Sequence, residues 1–189
     1  MKRQTRTIGM QDFQTREDGN ELLIEGYFSV FDKPYYYDEI SFETIAPGAF
    51  DLEQDKDVRA LVNHDTRLVL GRTTNGTLEL LLDEVGLFGR IHVNPKDGDA
   101  VNAYERVKRG DVTQCSFGFD IIEQTAEKLQ DGGMHWTIAK VRLYEVSVVT
   151  FPAYEDTFIE ARSEELAKMR ELETWRTRMK ERLGVNGGN

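Results

Sequence analysis

Apolar segments of strand length, separated by turn residues, fill most of the chain. Some are rich in aliphatic and aromatic side chains, and others alternate apolar with polar positions, as strands with one buried face do. Six segments predict strands in this way: residues 21–31, 58–64, 78–82, 87–93, 114–122 and 136–150. The third and fourth are close enough to form a hairpin. The pattern therefore predicts a β-rich α+β fold.

Helical spacing interrupts the strands in one place. Asp99 is predicted to cap a helix over AVNAYERVKR, and Gly110 is predicted to end it. Four apolar residues recur at helical spacing and predict its buried face: Ala100, Ala103, Tyr104 and Val107. The Pro47 and Gly48 pair predicts a short helix from Ala49. Residues 5–14 predict a polar start, and residues 33–37, which include Pro34 and three tyrosines, predict a loop.

The character of the chain changes from Ser163 onward. Ser163 is predicted to cap an amphipathic helix that Gly184 ends, ahead of a tail predicted to be disordered. The apolar stripe of this helix recurs at intervals of three or four: Leu166, Met169, Leu172, Trp175, Met179 and Leu183. We therefore predict a main domain over residues 1–162 and a helical appendage over residues 163–189.

Charge and composition exclude several function classes. The formal net charge of −10 argues against a nucleic-acid-binding surface, because phosphate contacts need clustered Lys and Arg. No apolar run approaches the roughly 20 residues that cross a bilayer. Residues 1–14 lack the apolar core of a secretory signal. The single cysteine, Cys115, excludes an internal disulfide framework and predicts a reducing cytoplasm.

Motifs of nucleotide and metal sites are also missing from the sequence. The chain has no Walker-type loop, no dinucleotide-binding glycine pattern and no HExxH pair. Its histidines, His64, His92 and His135, lie far apart without metal-ligand spacing. We expect no cofactor and no metal, which leaves nucleophilic catalysis as the mechanism to test.

The QCSFGFD segment carries the candidate nucleophile. In a strand, Ser116 and Gly118 share one face, whereas Cys115, Phe117 and Phe119 share the other, which is predicted to be the core. A serine opposite a Phe-rich face, with glycine two residues on, leaves room for a substrate backbone. Taken alone, the segment fits an ordinary outward-facing serine better. The rival nucleophile Cys115 is predicted to be buried and inert.

His64 and Glu145 are the residues that could support such a serine. A serine hydroxyl needs a neighbouring base to attack an amide, and imidazole is suited to this task. His64 ends the segment 58–64, where a structural histidine is the alternative. Glu145 is predicted to lie on the strand face shared by Val141, Leu143 and Val149, where a carboxylate is unusual, and it could hold the second imidazole nitrogen. The alternative interpretations of Glu145 are an exposed residue at a strand edge or an ion pair with Arg142 or Arg72. Ser147 lies on the same predicted face as Glu145 and is a minor rival to Ser116 as the nucleophile.

Together, the sequence blocks resemble the tailed-phage prohead (head maturation) serine proteases. The blocks are GYFSVFD, FETIAPGAF, ALVNHD followed by GRT, LFGRIHV, AVNAYERVKRGD, CSFGFD and LYEVSVVTFPA, in the family's order. The resemblance covers most of the chain. It departs from the family pattern at PAYEDT, where Tyr154 follows the alanine instead of an asparagine.

This resemblance implies a fold and a set of catalytic roles. The fold should be similar to the herpesvirus assemblins, a compact, mostly antiparallel β-barrel flanked by helices. Ser116 and His64 match the family's motif blocks for the nucleophile and its general base. Glu145 matches the position of the acid in the phage branch. Apart from the resemblance, Arg72 follows the His64 segment closely and is a candidate for orienting an oxyanion donor or a water molecule.

The resemblance also implies substrates and a place of action. The family cleaves the major capsid protein or the scaffold, and itself, while packaged inside the immature capsid in the host cytoplasm. Assemblin-type enzymes often work as dimers, so a homodimer is an expected assembly. The alternative, from a different class, is a non-catalytic capsid-assembly protein that binds shell protein through the helix at 163–183.

Overall fold

Strands make up most of the chain in the computed structural model, which describes residues 4–9, 14–18, 21–151, 168, 171–172 and 174–179. The strands are β1 (Gln4–Gly9), β2 (Gln14–Asp18), β3 (Glu21–Val30), β4 (Tyr35–Tyr36), β5 (Phe42–Ile45), β6 (Arg59–Val62), β7 (Asp65–Arg72), β8 (Leu78–Leu82), β9 (Gly86–Val93), β10 (Gln114–Lys128) and β11 (Met134–Val149). A helix, α1 (Gly98–Arg109), precedes β10, and a short 3-10 turn covers Thr73–Asn75.

The strands form two sheets. The larger sheet has the order β1-β10-β11-β5-β4, and β6 pairs with both β11 and β7; the smaller has the order β2-β3-β9-β8. β11 runs parallel to β5 and to β6, and all other pairs are antiparallel. The prediction of a β-rich fold is confirmed. Among the described residues no closed barrel is found, because the strands divide into two separate sheets and neither sheet pairs its first strand with its last. The assemblin-like arrangement stays a prediction.

One apolar core lies between the sheets and the buried face of α1. The smaller sheet contributes Phe28 and Ile91, and the larger contributes Phe117 and Phe119, whose rings stack with centroids 4.8 Å apart. Phe50 packs edge-on against Phe117 at 5.5 Å. The predicted core face of the QCSFGFD segment is therefore confirmed.

Several strands differ from the sequence pattern. The predicted strands at 21–31, 78–82, 87–93, 114–122 and 136–150 are confirmed. In contrast, β1, β2, β4, β5 and β7 were not predicted, and β4 lies where the pattern predicts a loop. The predicted helix from Ala49 is wrong, because residues 49–58 form a turn and chain without regular secondary structure. Ala49 and Phe50 are buried in the core, and the Asp51 carboxylate accepts the Gln54 N–H, which closes a local turn instead of starting a helix.

The helix α1 begins two residues earlier than predicted. Its N-cap is Asp97, whose carboxylate accepts the N–H groups of Asp99 and Ala100. The predicted cap at Asp99 is therefore wrong, and Asp99 lies in the first turn. Gly110 ends the helix with a φ of 85°, as predicted. The predicted buried face is confirmed in full.

Residues 168, 171–172 and 174–179 are helical, within the segment where an amphipathic helix is predicted. The predicted ends of that helix, Ser163 and Gly184, lie outside the described residues. The chain divides into compact units of residues 1–154 and 155–189. The domain boundary at 162 stays a prediction. No helix in the described part of the chain is long and apolar enough to cross a membrane.

Candidate active site

His64 lies in a tight turn. It and Asn63 join β6 to β7, and both have positive φ, 59° and 50°. A two-residue hairpin loop needs this left-handed conformation, which asparagine tolerates better than most residues. The Asn63 side chain secures the turn by accepting the Thr150 N–H at 2.9 Å. The prediction that His64 ends a strand is therefore wrong by two residues, because β6 stops at Val62.

A β-bulge turns Glu145 away from the core. Glu145 lies opposite Gly118, but Leu143 lies opposite Phe119, so Tyr144 is an extra residue in β11. Leu143 consequently faces the core, and Glu145 faces the other side of the sheet. The prediction that Glu145 shares a face with Leu143 is wrong for this reason.

His64 and Glu145 are in direct contact. The Nδ1 atom of His64 lies 2.6 Å from Oε1 of Glu145, and the carboxylate is buried. An ionised carboxylate only accepts hydrogen bonds, so this contact places the imidazole proton on Nδ1. The other carboxylate oxygen accepts a hydrogen bond from the Ser147 hydroxyl at 2.7 Å. Ser147 Oγ in turn accepts the backbone N–H of His64 at 3.3 Å. Both oxygens of Glu145 are thus fixed.

Ser116 lies on the same face of the sheet, one strand away. It stands opposite Ser147 in the pairing of β10 with β11. A Cβ atom at Gly118 would overlap the Glu145 carboxylate. The face of β10 on which a side chain at position 118 would lie is therefore the face that meets Glu145. Ser116, two residues earlier with no register shift between, therefore shares the face of Glu145.

The Ser116 hydroxyl is turned toward β1 and not toward the histidine. Its Oγ donates to the carbonyl oxygen of Arg6 at 2.7 Å, and the residue is fully buried. Among the described residues no hydrogen bond joins Ser116 to His64. The Nε2 atom of His64 is itself buried and has no hydrogen-bond partner there. The structure thus brings His64, Glu145 and Ser147 together and leaves Ser116 beside them.

The other residues singled out in the sequence have separate environments. Cys115 is buried, and burial raises the pKa of its thiol well above the ordinary value. The Arg72 guanidinium binds the carboxylate of Asp57, with Nε to Oδ1 at 2.6 Å, so it is not the partner of Glu145. Arg6 was missed, because nothing in a polar N-terminal segment indicates that its carbonyl would meet Ser116.

Within the described ranges, no group of three or more His, Cys, Asp or Glu side chains is arranged to hold a metal ion. His92 Nε2 lies 3.0 Å from Glu79, and His135 Nε2 lies 2.9 Å from the Thr44 hydroxyl. Each histidine therefore has a local partner in a different part of the fold. The chemistry available at the candidate site is that of a serine, an imidazole and a carboxylate.

Comparison with known proteins identifies the family. Residues 11–172 match the family described as Caudovirus prohead serine protease. The chain belongs to this family. It is a protease, and the prediction of a role in prohead maturation is confirmed. No curated protein matches the chain.

A solved structure from a phage resembles this prohead protease. It is that of the bacteriophage T4 capsid assembly protease, gp21, with a TM-score of 0.51 and 13% sequence identity. The match covers 79% of this chain and 98% of the T4 chain. At this level of identity the likeness concerns the fold.

Proposed function

We propose that the chain is a serine endopeptidase in which Ser116 is the nucleophile, His64 the general base and Glu145 the residue that orients the base. The observation that carries the proposal is the 2.6 Å contact between His64 Nδ1 and the buried Glu145 carboxylate, on the face of the sheet where Ser116 lies. A histidine held in this way presents Nε2 as a proton acceptor.

Acylation follows from these positions. The Ser116 hydroxyl leaves the Arg6 carbonyl and gives its proton to His64 Nε2 as Oγ attacks the scissile carbonyl carbon. When the tetrahedral intermediate collapses, the imidazolium gives that proton to the leaving amine, and an ester to Ser116 forms. A water molecule then repeats the sequence on the ester and restores the serine.

Glu145 stabilises the charged histidine during both steps. The imidazolium that forms after proton transfer lies beside a carboxylate that is already desolvated and fixed by Ser147. A preorganised charge of this kind needs no rearrangement at the moment of reaction. The bulge at Tyr144 is the local feature that places the carboxylate there.

The substrates follow from the family. We infer that the chain cleaves the major capsid protein or the scaffold, and itself, inside the immature shell. The T4 protein of similar fold is a capsid assembly protease, which supports a capsid-related substrate. A homodimer is the expected assembly, and its mass in solution tests that expectation.

Co-expression with the major capsid protein tests the nucleophile. We expect wild type to cut the capsid protein, and Ser116→Ala to lower the rate by at least about 1,000-fold because the attacking oxygen is lost. Ser29→Ala is the matched control, because Ser29 is equally buried but lies in β3 of the smaller sheet. Gels and intact mass measure the products.

The Ser147→Ala variant tests whether Ser147, and not Ser116, is the nucleophile. Ser147→Ala should retain cleavage at a reduced rate, because in the proposed mechanism Ser147 positions Glu145 and the His64 backbone and does not attack the substrate. If Ser147→Ala abolishes cleavage and Ser116→Ala does not, Ser147 is the nucleophile. If the wild-type protein leaves the capsid protein uncut inside assembled shells, the endopeptidase proposal is rejected in favour of a non-catalytic capsid-assembly protein.

A further inference from the structure

β1 lies along the outer edge of the strand that carries Ser116. It pairs antiparallel with β10 from Gln4 opposite Phe119 to Gly9 opposite Gln114, and β11 takes the other edge of β10. An extended peptide that binds as an added strand needs a free strand edge. In this structure β1 occupies the edge through which such a peptide would reach the serine.

The main chain of β1 also holds the nucleophile. Ser116 Oγ donates to the Arg6 carbonyl oxygen at 2.7 Å. A substrate has to bring its scissile carbonyl to within about 3–3.5 Å of the attacking oxygen. A carbonyl group of β1 therefore stands where the carbonyl group of a substrate strand has to arrive.

The Arg6 side chain fills a pocket that suits a guanidinium group. Its Nε contacts one carboxylate oxygen of Glu43, and its Nη2 donates to the other at 3.0 Å and to Tyr37 Oη at 3.0 Å. The guanidinium carbon lies 5.5 Å from the ring centre of Phe119 and 5.7 Å from that of Tyr35. Arg6 and Glu43 are both almost fully buried. A planar, forked cation fits this arrangement better than an ammonium group does.

Displacement of β1 has a consequence for the pocket. If β1 left without a replacement, Glu43 would lose the guanidinium group that binds both of its carboxylate oxygens, and removing such a partner from a buried charge is strongly unfavourable. A peptide with an arginine at the matching position restores that cation, and a peptide with a neutral residue there does not. The pocket therefore selects arginine among the strands that compete with β1.

We propose that β1 is an internal substitute for the substrate strand, that the edge of β10 docks an extended peptide, and that Glu43 and Tyr37 bind the guanidinium group of an arginine in that peptide. This inference rests on the proposed role of Ser116. It implies that the isolated chain blocks its own site until β1 is displaced.

Binding of the hexapeptide QTRTIG, the sequence of β1, tests the inference on the full chain. Fluorescence anisotropy of the labelled peptide is measured with wild type and with Arg6→Ala, in which β1 loses its anchor. We expect Arg6→Ala to bind the peptide at least about tenfold more tightly than wild type, since charged hydrogen bonds no longer hold the competing strand. Arg109→Ala, at an exposed arginine paired with Asp111, is the matched control and should behave as wild type.

Replacing the arginine of the peptide by the neutral, isosteric citrulline tests the pocket. We expect the citrulline peptide to bind to the Arg6→Ala variant at least about tenfold more weakly than the arginine peptide does. In the double variant Arg6→Ala/Glu43→Gln the two peptides should bind equally. If circular dichroism shows that Arg6→Ala does not fold, Thr5→Pro/Ile8→Pro displaces β1 instead, because the two prolines remove ladder donors in either phase of the strand.

Two results would overturn the inference. Equal binding of the arginine and citrulline peptides to folded Arg6→Ala would remove the guanidinium pocket. No binding to any folded variant with a displaced β1 would remove the docking edge. Binding is read without cleavage, so these failures are separate from a failure of Ser116→Ala to stop capsid cleavage, which would remove only the nucleophile.

Discussion

At the scale of single residues, the site depends on how closely Gly118 approaches Glu145. The carboxylate lies against the backbone of β10, in the space that a side chain at position 118 would fill. The same carboxylate binds His64 and Ser147, so its position sets the orientation of the imidazole. A glycine two residues after the proposed nucleophile is therefore needed for the base and not only for substrate access.

Gly118→Ala tests this requirement. The added methyl group must displace the Glu145 carboxylate, and misplacement by about 1 Å can lower a catalytic rate by roughly 100-fold. We expect capsid-protein cleavage to fall by about that factor while the far-UV circular dichroism stays that of wild type. Gly98→Ala is the control, because a Cβ there meets no atom within 4 Å and should leave the rate unchanged. Full activity of Gly118→Ala would contradict the proposed positioning.

The residue types of the site could be read from the sequence, but their geometry could not. Strand alternation predicts correctly that Ser116 faces away from the core, opposite Cys115 and Phe117. The same rule fails for Glu145, since one extra residue at a bulge exchanges the two faces of the strand. A single sequence carries no signal for the bulge, nor for the bond between Ser116 and the Arg6 carbonyl.

At the scale of elements, prediction succeeded where a pattern is long and local. The strand at 21–30 and the hairpin of β8 and β9 carry their own apolar runs and turn residues. β1 and β2 are polar, and their pairing partners β10 and β3 supply the apolar surface. The strand β7 continues directly from the turn at His64, which the pattern had assigned to the end of a strand. These elements are set by tertiary pairing more than by propensity.

The cap of α1 gives a prediction at this scale. Asp97→Ala removes two hydrogen bonds to the first turn and should lower the free energy of unfolding by about 1 kcal/mol. Asp99→Ala keeps the cap and removes only a favourable charge in that exposed first turn, so we expect a smaller loss of about 0.3 kcal/mol. Urea denaturation compares the two variants. The reverse order would restore Asp99 as the cap.

At the scale of the whole molecule, the two sheets share one core. Phe117 from the larger sheet belongs to the same apolar cluster as Phe28 and Ile91 from the smaller. The sheets should therefore unfold together, even though no strand pairing joins them among the described residues.

Phe117→Ala tests this cooperativity. Truncation of the ring should lower the free energy of unfolding by about 3–5 kcal/mol. Amide hydrogen exchange should then speed up in β9 as well as in β10, although β9 lies in the other sheet. Phe151→Ala is the matched control, because that ring is 68% exposed. Faster exchange confined to β10 and β11 would mean that the sheets are independent folding units.

The burial of Cys115 has a practical consequence for spectroscopy. It is the one cysteine of the sequence, it is 1% exposed, and its pKa is raised by burial, so little thiolate is available to react with a maleimide. A cysteine introduced at an exposed site such as Val85→Cys would therefore take up a fluorophore or spin label selectively, with the native thiol left in place. A single label can thus report on the protein during shell assembly, and Cys115 does not first have to be replaced.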